Sequence, residues 1–182
     1  MMRLAVLVAA AMSSSCLVVS LQPAYDDASI TFDDALLGRW TNVEDRTTVV
    51  IDRAEWRSYK IVYADRSATF TFHGNLTAIG SASFLDLTQA RGSDPGPYLV
   101  PVHGIYRVTV RGETLTAWAL DYGWYSRAMA ARGGSGLSLS LDDRRNVTIA
   151  SPTDALRAWL ARAPDEAFAS PATYTRGSAG ER

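Results

Sequence analysis

Between Leu36 and Asp121 apolar and polar residues alternate with a period of two, and turn formers break the alternation at short intervals. That pattern belongs to antiparallel β structure with one face buried. Seven strands are expected, over residues 37–43, 47–52, 58–64, 68–79, 83–88, 99–110 and 114–120. In the third, Tyr59, Ile61 and Tyr63 face one way and Lys60 and Val62 the other. The connections are short except for residues 89–98, where Pro and Gly accumulate. A flat meander of this kind would expose two edges, and closure removes both. The expected fold is therefore mainly β, an antiparallel up-and-down barrel of about eight strands.

At the start of this stretch stands Leu36-Leu37-Gly38-Arg39-Trp40-Thr41. A glycine two residues before a tryptophan lets backbone pass close beneath the indole, which then closes one end of the barrel. After residue 120 the pattern changes. Asp121 is placed to cap a short helix running to about Ala131, ended by Gly133-Gly134. Leu137, Leu139 and Leu141 alternate with serine, and residues 146–150 are strand-like, so one of these is expected to complete the barrel. Ser151-Pro152-Thr153-Asp154 opens a C-terminal helix, with Ser151 as cap and Pro152 in the first turn. Leu156, Trp159, Leu160 and Ala163 form its apolar stripe, and Pro164 ends it. The barrel with its C-terminal helix is thus expected over residues 36–170, with 171–182 as a flexible tail.

The N-terminus reads as an export signal over residues 1–15. Met1-Met2-Arg3 supplies positive charge, Leu4 to Met12 is apolar throughout, and Ser13-Ser14-Ser15 follow. Cys16, the only cysteine, stands directly after them, so no internal disulfide can form. It is a candidate lipid-attachment site, and ordinary signal cleavage after Ser20 is the alternative. Residues 16–35 lack periodicity and read as a tether.

Composition narrows the partners. The 182 residues carry a net charge of −1, with 47% hydrophobic and 20% charged. Lys60 is the only lysine, and the arginines are scattered rather than grouped. This balance gives no electrostatic case for nucleic acid. Two histidines and one cysteine offer no zinc spacing, and neither a phosphate loop nor a G-x-S-x-G elbow is present. No cofactor is expected.

Two groups of residues remain as candidates. Trp40, Tyr59, Tyr63, Phe70, Phe72, Tyr106 and Trp118 fall at alternating strand positions and are candidate linings for a ligand cavity, with plain core as the alternative. Asp86 and His103 form the second group. A symmetric hairpin centred on Asp94-Pro95 sets them opposite one another, within contact range on a shared face. An aspartate beside a histidine orients the imidazole, as in acid–base sites, or else braces a barrel rim.

Gly38-Arg39-Trp40 on a first strand, a meander and a C-terminal helix together resemble the lipocalin (calycin) group of small barrels. Asp121-Tyr122 after a late strand is similar to that group's second signature, although Leu120 stands where threonine is usual. Over about residues 35–170 the chain also resembles uncharacterised bacterial lipoproteins with a leucine-glycine-x-tryptophan start. The matching residues are Phe84-Leu85-Asp86-Leu87, Val100-Pro101-Val102-His103 and Leu120-Asp121-Tyr122-Gly123-Trp124. The resemblance implies a bacterial cell-envelope protein, periplasm-facing or secreted, and held to the membrane if Cys16 is acylated. It brings no activity with it. The leading expectation is non-enzymatic binding of a small apolar ligand. Alternatives are an envelope or protein-interaction module with a filled barrel, and a hydrolase-type enzyme using Asp86 and His103.

Overall fold

The computed structural model describes residues 17–90, 101–131, 135–143 and 145–177. The expected signal, Cys16 and most of the long loop lie outside them. In chain order the strands are β1 (Val18–Ser20), β2 (Ile30–Thr31), β3 (Gly38–Asn42), β4 (Thr47–Arg53), β5 (Ser58–Ala64) and β6 (Thr69–Ile79). They continue with β7 (Ala82–Gln89), β8 (Gly104–Arg111), β9 (Thr114–Ala119), β10 (Leu139–Leu141), β11 (Val147–Ile149) and β12 (Ala172–Arg176). Helix α1 (Tyr122–Ala130) follows β9, and α2 (Thr153–Leu160) follows β11.

Strands β3 to β9 each pair antiparallel with the next, and β12 pairs with both β9 and β3. Eight strands therefore close on themselves. The alternation decides which side chains face inward, because directly opposed residues share a face. Val49 lies opposite Tyr63 and Tyr63 opposite Phe70, while Ile51 lies opposite Ile61 and Ile61 opposite Phe72. Continuing round, Leu85 faces Tyr106, and Leu115 faces Tyr174.

One end of the barrel is plugged. Trp40 and Tyr59 are fully buried there with Leu36, Ile51 and Ile61. The Trp40 indole N–H donates to the Leu36 carbonyl at 2.8 Å. Arg176, at the end of β12, lies over the indole at 4.1 Å from the ring centre and donates to the carbonyls of Leu37 (2.6 Å) and Ala35 (2.9 Å). Gly38 has φ +124°, and a Cβ there would stand 2.8 Å from Arg176 Nη1. The glycine makes room for this guanidinium as well as for the turn.

A second core lies outside the wall. Phe84 and Ile105 point outward and are covered by Tyr125, Leu156, Trp159, Leu160, Phe168 and the residues of a small sheet. That sheet joins β1 parallel to β11 and β10 antiparallel to β11. Asp121 caps α1, its carboxylate accepting from the Trp124 N–H at 2.6 Å. In α2 the stripe of Leu156, Trp159 and Leu160 is buried.

Five expectations are corrected. Residues 137–150 do not complete the barrel, because Leu139 and Ile149 pair within the outer sheet. The closing strand is β12, within the stretch expected to be a tail. A turn at Asp165–Ala167 returns the chain to the wall, where Ala169 N–H donates to the Ala119 carbonyl and β12 continues alongside β9. The segment 17–35 is no loose tether either: Val18 and Ser20 are buried in β1, and Ala24 is fully buried. Val18, in the Leu17-Val18-Val19 run, supplies apolar surface that docks it. Ser151 does not cap α2; its hydroxyl accepts from the Ser138 N–H at 2.8 Å, and the cap position falls on Pro152. The strand expected from residue 99 begins at Gly104, since Pro101 offers no N–H and the His103 backbone pairs with Ser20 instead.

Candidate ligand-binding site

Above the plug the barrel is not filled. A cavity of about 560 Å³ occupies the interior towards the opposite end, where β5 turns into β6. Its wall is built from the inward rows of the strands: Val49, Ile51 and Ile61, then Phe70 and Phe72, then Leu85 and Leu87, with Val108, Leu115 and Ala117. Aromatic and branched side chains suit both the strands and an apolar lining. The volume falls within the range of small-molecule pockets, about 300–1,000 Å³.

The expected lining residues divide three ways. Tyr63, Phe70, Phe72 and Tyr106 line the cavity. Trp40 and Tyr59 belong to the plug: the Tyr59 hydroxyl accepts from the Asp33 N–H at 2.7 Å, and its ring stacks on Phe32 at 4.6 Å. Trp118 is corrected. Tyr106 lies opposite Ala119, so Trp118 shares the outer face with Arg107, whose guanidinium sits 5.0 Å from its ring centre. Sequence reasoning missed Tyr174, Gln89 and Leu17, which also line the cavity. The alternation Ala172-Thr173-Tyr174-Thr175 was the available signal for Tyr174.

Polar groups in the cavity are few. The phenols of Tyr63, Tyr106 and Tyr174 and the Gln89 amide are on its lining. Burial raises the pKa of all three phenols, and ionisation of Tyr174 would raise those of Tyr63 and Tyr106 further. All three are therefore neutral hydrogen-bonding groups at ordinary pH.

Asp86 and His103 meet elsewhere. His103 Nδ1 donates to Asp86 Oδ1 at 2.6 Å, and both side chains are buried. Asp86 stands opposite Ile105, not His103, so the contact is diagonal and two residues from the expected register. A shift of two keeps the same face, which is why the pair still meets. Asp86 Oδ2 accepts from the Ala24 N–H at 2.7 Å, and Ser20 and His103 exchange two backbone hydrogen bonds. The pair clasps the N-terminal segment to the outside of the wall. Neither residue is on the cavity lining.

Comparison with known proteins places the chain nowhere: no family model, curated protein or solved structure matches it. The closed eight-stranded antiparallel barrel is nevertheless consistent with a lipocalin-like fold. Among the described residues no helix is long and apolar enough to cross a membrane, and no three His, Cys, Asp or Glu are placed to hold a metal ion.

Proposed function

We propose that this chain is a non-enzymatic binding protein that holds one small, largely apolar molecule inside its barrel. The observation that carries the reading is the cavity of about 560 Å³, walled by aliphatic and aromatic side chains above a plugged end. Such a site takes up an apolar molecule because water leaves apolar surface on both sides. An open interior favours this reading over a barrel filled for purely structural ends. The hydrolase alternative draws no support from Asp86 and His103, which are buried against each other and lie off the cavity lining. We place the protein, as an exported chain, in a bacterial envelope, with Cys16 as the site of lipid attachment. Leu17, the next residue, is already on the cavity lining.

The test is uptake of N-phenyl-1-naphthylamine, an uncharged dye that brightens in apolar surroundings. Saturable brightening is expected. Ala117 lies on the wall opposite Val108 and Ala172, so Ala117→Trp fills space the dye needs and should weaken uptake at least ~tenfold. Dye binding that ignores this substitution would move the site elsewhere and refute the reading.

A further inference from the structure

The cavity carries a chemical preference as well as a size, and this inference rests on the binding reading above. Among the described residues lining it there is no Arg, Lys, His, Asp or Glu. Its polar groups come from four different strands: Tyr63 on β5, Gln89 on β7, Tyr106 on β8 and Tyr174 on β12. The hydroxyls of Tyr63 and Tyr106 are held by no hydrogen bond among the described residues. A phenol both donates and accepts, as does an amide side chain. A ligand hydroxyl, amide or ester finds matching partners there.

A carboxylate does not. Moving an ion out of water without a counter-charge costs several kcal/mol, and phenol donors alone do not neutralise it. The described turns at the open end offer such a head group no net positive charge. They carry Glu44, Asp45 and Asp65 against Arg46 and Arg66, a net charge of −1.

We propose that the barrel selects an uncharged amphiphile, a long-chain alcohol, amide or ester, whose polar group is hydrogen-bonded by Tyr63 and Tyr106, and that it discriminates against fatty-acid anions. The lining thereby defines the ligand class through an absence of charge, and the phenols orient what enters.

Competition against the bound dye tests this with the wild-type chain. Dodecanol should displace the dye at a concentration at least ~tenfold lower than dodecanoate at neutral pH. Lowering the pH to about 4 protonates much of the acid and should narrow the gap. Gln89→Arg sets a guanidinium on the lining and should bring dodecanoate to parity with dodecanol or better, both measured in that variant. Equal displacement by the alcohol and the anion in the wild type would overturn the selectivity while leaving the binding reading intact. An absence of dye uptake would overturn the binding reading, and this inference with it.

Discussion

Replacing Arg176 with alanine attacks the seam at which the barrel closes. Strand β12 meets β3 through only two registered pairs, Thr175 with Thr41 and Arg176 with Trp40. The guanidinium reinforces that short seam with hydrogen bonds of 2.6 and 2.9 Å to the Leu37 and Ala35 carbonyls and by lying 4.1 Å over the Trp40 ring. A hydrogen bond from a charged donor contributes about 1.5–3 kcal/mol, and a cation–π contact about 1 kcal/mol. The three contacts share one group and are not additive, and a side chain 28% exposed lets water recover part of the loss. About 3 kcal/mol is the expected cost of Arg176→Ala. For a chain of this size that lowers Tm by about 6–12 °C. Glu113 approaches the same guanidinium at 3.4 Å but is 77% exposed, so Glu113→Ala should cost no more than about 0.5 kcal/mol. Thermal and urea unfolding followed by tryptophan fluorescence measure both. If the two substitutions shift the transition equally, Arg176 is not what holds the seam.

Other outcomes follow from the same geometry. Gly38→Ala forces a Cβ to within 2.8 Å of Arg176 Nη1 at a φ of +124°, and urea unfolding should show a loss of about 1–3 kcal/mol. Asp86→Ala strands the His103 Nδ1–H and the Ala24 N–H in a buried setting, costing about 3 kcal/mol. Limited proteolysis should then cut residues 17–25 while the barrel survives; an unchanged digestion pattern would contradict the clasp. Stability should fall as the pH climbs above about 10, because unfolded tyrosines then lose protons that buried Tyr106, Tyr125 and Tyr174 retain. The last part of the phenolate absorbance should appear together with the loss of circular dichroism, and full phenolate absorbance ahead of unfolding would be the contrary result.

What could be read from the sequence depended on how many faces of each strand are covered. For β5 one face is apolar and the other carries Lys60, so residues 58–64 and their inward side are unambiguous. Strands β7 to β9 are covered on both faces: Leu85 and Val108 look into the barrel, while Phe84 and Ile105 look into the outer core. Periodicity loses its meaning there, and Trp118 was drawn inward although Leu115 and Ala117 hold that row. The pairing of Asp86 with His103 tolerated a register error because slipping by two preserves the face. Strand β12 escaped notice for a different reason. Its outward residues are Thr173 and Thr175, and the glycine and charge that follow resemble a frayed end. The plug was legible in part: Gly38 and Trp40 pointed to a closed end, but their partner Arg176 is 136 positions or more downstream of each and no local pattern links them.

That separation has a kinetic side. Strand β3 is among the first parts of the barrel to be made, and its partner on one side is the last strand, with Thr175 bonding to Thr41 across 134 positions of sequence. Contacts so distant form slowly, since the intervening loop must be ordered before they are rewarded. While the chain is being synthesised the seven-stranded meander has nothing to close against, and β3 and β9 stand as unpaired edges. Ring closure waits for β12. The cavity, which needs every wall, therefore comes into existence only when β12 has docked against both β9 and β3.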